Sequence, residues 1–169
     1  MARLYLLMGY PGAGKTTAAQ AIREVTGAEH VSSDAMRIKM FPQPTFSQTE
    51  HDQLYRHIDR EVEHLLKAGK DVIYDANLNR HRHRQEKYAI CERTGTKAVL
   101  IWVQAPKELA KSRAVNQSRA HLVPQDESPA AMFNRIARLI EEPHPTESYI
   151  SMDGTQISPE YVSAKLKQK

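Results

Sequence analysis

Apolar residues in this chain fall alternately into short continuous runs and helical stripes. Leu4 to Met8 is an unbroken apolar run ending at a glycine, the pattern of a central parallel strand buried on both faces. Lys15 to Thr26 reads as a helix closed by Gly27, and His30 to Ser33 as a second short strand. Asp34 is then placed to cap a turn or short helix carrying Met36, Arg37 and Met40, before Pro42 and Pro44 break the chain. Ser47 with Glu50 forms a capping-box pattern, and Leu54, Ile58, Val62, Leu65 and Leu66 recur at helical spacing until Gly69, predicting the longest helix.

Further along, Asp71 to Asp75 predicts a third strand, Asn79 a cap for a helix over about Arg80 to Arg93, and Ala98 to Val103 a fourth strand. Pro106 opens a helix through about Ser118, and a polar segment runs to Glu127. Ser128-Pro129 starts another helix with Phe133, Ile136, Leu139 and Ile140 inward. Tyr149 to Met152 is a fifth strand, and Ser158-Pro159 starts a closing helix with Val162 and Leu166 on one side. Strands separated by helices imply a parallel sheet with right-handed crossovers, helices on both faces and ligands at the carboxyl ends of the strands. Gly9, Asp34 and Asp75 all lie at or just after strand ends.

With 169 residues the chain fits one compact domain. Its single cysteine, Cys91, forms no internal disulfide and suits a reducing cytoplasm. Leu4 to Met8 is shorter than a signal-peptide core, and no run approaches the roughly 18 apolar residues of a membrane helix. The expectation is therefore a cytoplasmic protein with no membrane partner. The formal charge of +4 is unevenly spread: Arg80 to Arg119 holds ten basic residues against Glu86, Glu92 and Glu108. Within it, Arg80-His81-Arg82-His83-Arg84 reads equally as an attractor of polyanions or as a solvated helix start. No strand-borne aromatic platform for bases is evident, although Tyr10, Tyr55, Tyr88 or Trp102 could stack singly. His51, His57 and His64 share the long helix without a third ligand at metal spacing, so a surface or interface role is expected of them.

The strongest chemical signal is Gly9-Tyr10-Pro11-Gly12-Ala13-Gly14-Lys15-Thr16, a G-x-x-x-x-G-K-[ST] loop set between a buried strand and a helix. Gly9, Gly12, Ala13 and Gly14 let backbone N–H groups face phosphate oxygens, and the helix start at Lys15, Thr16 and Thr17 adds positive potential. Lys15 reaches the β and γ phosphates of a nucleoside triphosphate, and Thr16 ligates Mg²⁺. Asp75, at the end of an apolar strand, is the second Mg²⁺ residue expected of such a site. A hydroxyl acceptor must lose a proton as it attacks, and a carboxylate that takes it contributes about 10²–10⁴-fold. Asp34 is the candidate base, with Arg37 three residues on to hold an anionic group of the acceptor. Arg113 and Arg119 flank the polar segment, where a lid over about residues 113–128 would bring guanidinium groups onto the transferring phosphoryl.

The order P-loop, Asp34-x-x-Arg37, Asp75-Ala76-Asn77-Leu78-Asn79, then Arg113 and Arg119 resembles the 5′-hydroxyl polynucleotide kinase type of P-loop kinases over roughly residues 3 to 140. The resemblance implies that Asp34 is the general base, that Arg37 binds the acceptor's phosphate and that Arg119 contacts ATP phosphates. It implies a three-layer α/β P-loop fold of nucleoside-monophosphate-kinase type, with a parallel sheet of about five strands and a helical lid. The expected activity is ATP- and Mg²⁺-dependent phosphorylation of the 5′-hydroxyl of a polynucleotide or nucleotide. Small-molecule and zeta-toxin-like kinases share the plan and remain open as alternatives. A regulatory ATPase without an acceptor is a third reading; it lacks support from any N-K-x-D guanine motif or Asp-x-x-Gly after the third strand.

Overall fold

The structure is a computed structural model and describes residues 1–117 and 122–168. Its strands are β1 (Arg3–Met8), β2 (Glu29–Ser32), β3 (Val72–Asp75), β4 (Lys97–Gln104) and β5 (Tyr149–Asp153). The helices are α1 (Lys15–Thr26), α2 (Ser33–Met40), α3 (Gln48–Lys67), α4 (His81–Thr94), α5 (Lys107–Asn116), α6 (Pro129–Arg138) and α7 (Pro159–Leu166). The strands form one parallel sheet in the order β2-β3-β1-β4-β5, with Leu6 of β1 opposite Tyr74 of β3 and Leu100 of β4. This is the parallel α/β architecture that the alternation of runs and stripes predicts.

Because side chains alternate across a strand, the wholly apolar β1 feeds two cores at once. Leu4, Leu6 and Met8 pack with Leu54, Ile58, Val62 and Leu66 of α3 and Ile90 of α4. Tyr5 and Leu7 face the opposite way, onto Ala18, Ala19 and Ile22 of α1 and Val162 of α7. The small alanines on α1 let the helix that follows the P-loop lie close against the sheet, so the loop is anchored at both ends by buried elements.

Four local expectations change. Asp34 does not cap α2: Ser32 does, its Oγ accepting from the Ala35 N–H at 3.4 Å, which puts Asp34 inside the first turn. Asn79 does not cap α4 either; Arg80 occupies that position without a side-chain bond, because Asn79 is engaged elsewhere. Leu139 is exposed, since α6 ends at Arg138 and the chain turns away from the Phe133 and Ala137 face before reaching it. The capping box is half realised: Ser47 Oγ accepts from the Glu50 N–H at 3.2 Å, but the Glu50 carboxylate turns to Thr45 and Arg37 instead of closing the box.

Candidate functional site

At the carboxyl edge of the sheet the chain leaves β1 through Gly9, whose φ of 146° and whose position beside the Val103 carbonyl exclude a side chain: an added Cβ would lie 2.2 Å from that oxygen. Asn79 seals the same residue from the side. Its Oδ1 accepts from the Gly9 N–H at 2.9 Å and its Nδ2 donates to the Gly9 carbonyl at 3.1 Å, with Asn79 only 2% exposed. Lys15 curls back over the loop and donates from Nζ to the Gly9 and Tyr10 carbonyls, both at 2.9 Å. Burial lowers the Lys15 ammonium pKa to about 8, a fall that the carboxylates of Asp75 and Asp34 partly offset.

The loop borders a cleft of about 740 Å³. Gly12, Gly14, Lys15, Thr16 and Thr17 line it, while Ala13 is buried behind the loop, its N–H donating to the Tyr10 carbonyl at 3.0 Å. Asp34, Arg37, Asp75 and Arg113 line the same cleft. Arg119 lies outside the described residues. The strands bring these groups together from positions far apart in sequence, because β1, β2 and β3 end side by side.

Asp75 is 8% exposed and sits 3.5 Å from the Thr16 hydroxyl, which donates to its Oδ2. The same oxygen makes a 2.9 Å hydrogen bond with His30 Nε2, so an imidazole from β2 holds the carboxylate in place. Two oxygen ligands, Thr16 and Asp75, converging beside a phosphate cradle suit a hard cation such as Mg²⁺, whose remaining ligands come from phosphate and water. Nothing in the sequence singles out His30. Its contact depends on β2 lying parallel to β3 with Ser32 opposite Asp75, which puts His30 on the same strand face one pleat back.

The chain is matched over residues 4–143 by the model of the AAA domain. It belongs to that family. No curated protein matches this AAA domain in sequence. Among solved structures, a sugar kinase from a Janibacter species superposes with a TM-score of 0.69 at 22% identity, over 99% of this chain and 94% of the other. A protein of Chloroflexus aurantiacus superposes with a TM-score of 0.78 at 19% identity, over 99% and 97% of the two chains. An RNA repair complex matches with a TM-score of 0.67 at 22% identity, over 82% of this chain and 44% of that one. At such identities the likeness is one of fold, and it places the AAA domain among P-loop kinase-like structures.

On the far side of β5 the cleft is closed by Gly154, Thr155 and Ile157. A Cβ on Gly154 would lie 1.7 Å from the Ala13 carbonyl, so this glycine is required by the close approach of the β5–α7 turn to the P-loop. Its trace in the sequence is a glycine directly after the fifth strand, outside any phosphate-binding motif. Arg135 of α6 also lines the cleft, held by Glu127 through contacts of 2.8 and 2.7 Å. On the other side, beyond Asp34, the wall consists of Arg37, Phe46, His51, Tyr55 and Asn77. Arg37 is 9% exposed and paired through NH1 with Glu50 Oε1, and its guanidinium lies 5.0 Å from the centre of the Phe46 ring. His51 and Tyr55 stack at 4.4 Å. Burial and the nearby Arg37 hold the His51 imidazole below its ordinary pKa, and burial raises that of the Tyr55 hydroxyl.

The basic segment does not form one surface. Arg84 is fully buried with Nε donating to Glu147 Oε1 at 2.8 Å, and Lys87 is buried with Nζ donating to Asp59 at 2.7 Å. Two cations of the Arg80 to Arg119 excess are therefore internal ties of α4. Among the described residues no cluster of histidines, cysteines and carboxylates of the size that holds a metal alone is present. None of the described helices is long and apolar enough to cross a membrane.

Proposed function

We propose that the protein is an ATP-dependent kinase that moves the γ-phosphate onto an acceptor hydroxyl, acting as a single domain with the segment about 113–128 as its lid. One observation carries this reading: Lys15, Thr16, Asp75 and Asp34 line one cleft, and that cleft continues past the phosphate cradle to Phe46 and Tyr55, leaving room for a second substrate. A regulatory ATPase would have no use for that second half.

In the proposed reaction the P-loop N–H groups and Lys15 hold the β and γ phosphates, Lys15 exchanging its two carbonyl partners for phosphate oxygens. Mg²⁺ held by Thr16 and Asp75 would neutralise charge on the phosphates. His30 fixes the orientation of Asp75. The acceptor lies between Asp34 and the Phe46–Tyr55 wall; its O–H proton passes to the Asp34 carboxylate as the oxygen bonds to the γ-phosphorus and ADP departs. Arg113, with Arg119 on the lid, would steady the transferring group. The fold alone leaves the acceptor open between a 5′-hydroxyl end, as in the resemblance to polynucleotide kinases, and a small hydroxylated molecule, as for a sugar kinase.

Asp34→Asn keeps size but accepts no proton. Transfer of labelled phosphate to an acceptor should fall by about 10²-fold or more while nucleotide affinity by calorimetry changes little. Wild-type transfer rates in this variant would remove Asp34 from the chemistry.

A further inference from the structure

The half of the cleft beyond Asp34 contains a cation that is already spent. Arg37 is the only arginine or lysine among the described residues on that wall, and its guanidinium meets the Glu50 carboxylate inside the protein, with Glu50 5% exposed. The pair is braced from behind. Glu50 Oε2 accepts from the Thr45 N–H at 2.6 Å and from the Thr45 hydroxyl at 2.9 Å, so the carboxylate is not free to swing away when a ligand arrives. The Phe46 ring lies 5.0 Å from the guanidinium and lines the cleft beside it, and Phe46 holds a left-handed backbone conformation, φ 56°, that non-glycine residues seldom adopt. A residue held in that conformation, with its ring against a cation and on the cleft, points to a functional wall.

Asp34 borders this wall, and the His51 imidazole is shifted toward its neutral form. Arg82 and His83 face a separate hollow of about 150 Å³ behind His51 and Tyr55. A phosphate-bearing acceptor placed against this wall would meet no unneutralised cation and would lie beside a carboxylate. Aromatic rings with a polar Asn77 and a carboxylate base instead suit the C–H faces and hydroxyls of a sugar or polyol.

We propose that the acceptor is an uncharged polyhydroxylated molecule, and that Glu50 determines this by neutralising Arg37. This deepens the kinase reading and rests on it.

The test has two arms. In the first, inorganic phosphate is titrated calorimetrically into protein whose nucleotide site is filled with Mg²⁺ and a non-hydrolysable ATP analogue. Wild-type protein should bind phosphate no better than the Arg37→Gln/Glu50→Gln double variant, and Glu50→Gln alone should bind it at least about tenfold more tightly. Wild-type affinity about tenfold above that of the double variant would overturn the proposal, as would a Glu50→Gln protein that keeps its melting temperature and gains nothing. If Glu50→Gln does not fold, the comparison of wild type with the double variant decides alone. In the second arm, labelled ATP is offered with ribitol, glycerol or ribose, and with their monophosphates. The wild type should prefer the uncharged member of each pair by at least about tenfold in kcat/KM, and Glu50→Gln should shrink that preference. A wild type that prefers the phosphorylated members overturns the proposal. Transfer to none of the probes counts against the kinase reading, while the phosphate arm still decides the part played by Glu50.

Discussion

Asn79 shows how much one side chain can organise at this site. An amide has a donor and an acceptor on one planar group, and here both are used on the two backbone groups of Gly9. The Gly9 carbonyl also receives the Lys15 ammonium, so the amide, the loop entry and the phosphate-binding lysine form a chain of contacts. Asn79→Ala would leave the Gly9 N–H buried without that partner, at a cost of about 1–3 kcal/mol, which should lower the melting temperature by several degrees. Nucleotide affinity should fall with it, by about tenfold, because the loop loses its fixed starting point. Asn79→Asp retains an acceptor for the Gly9 N–H and should recover part of the stability; equal losses in both variants, measured by thermal melts and calorimetry, would mean that Asn79 only fills space. Local pattern reads this residue as a helix cap, because an asparagine before a helix is a common cap and its real partner lies 70 residues away. Arg37 and Glu50 are legible for the same reason only as single residues.

At the scale of elements, α4 and the segment that follows α6 are joined by buried charge. Glu147 accepts from Arg84 Nε and NH2 at 2.8 Å, from the Tyr88 hydroxyl at 2.6 Å and from the His144 N–H at 2.7 Å. Arg84 in turn donates to the carbonyls of Leu78, Glu141 and Glu142. Burial alone would raise the Glu147 pKa, but the hydrogen bonds from Arg84, Tyr88, His144 and His81 outweigh it and bring the carboxyl from 4.5 down to about 2. Its folded pKa is depressed, so its contribution is complete above about pH 4.5 and is lost as pH falls from there toward 2. The loss is on the order of 3 kcal/mol. Urea unfolding of the wild type should steepen its loss of stability across that window. Glu147→Gln should be less stable at neutral pH and lose less on acidification, and parallel pH curves for the two proteins would contradict the assignment. In the sequence, Arg80 to Arg84 reads equally as a solvated or a polyanion-facing run. Helical periodicity turns Arg84 and Lys87 inward together, three residues apart, and no hydrophobic pattern announces a buried ion pair.

For the molecule as a whole, the same burial changes what the charge excess can do. An exposed basic track on a nucleic-acid kinase would make acceptor binding fall with salt at a log–log slope of about −0.7 per single-strand phosphate contacted. With Arg84 and Lys87 internal, and Arg37 paired, the KM for an uncharged acceptor should have a slope near zero. The salt series should be run at saturating ATP so that phosphate-loop screening does not enter. A KM that rises steeply with salt would restore the nucleic-acid end as the acceptor and draw attention to Arg80, Arg82 and the lid arginines.

The sequence by itself determined the order of strands and helices, the P-loop with Lys15 and Thr16, and the placing of Asp34 and Asp75 at strand ends. All of these depend on neighbours within a few residues: a run of apolar side chains, a glycine where φ is positive, a cap before a stripe. The tertiary structure alone decided that His30 steadies Asp75, that Asn79 grips Gly9, that Gly154 must be bare against Ala13, and that Glu50 neutralises Arg37. Each of those contacts joins segments that only the parallel stacking of β2, β3 and β1, or the packing of α2 on α3, brings within hydrogen-bonding reach. Charge is the property that changed most between the two levels, because a formal charge in a sequence acts on a ligand only if the fold leaves it without a partner.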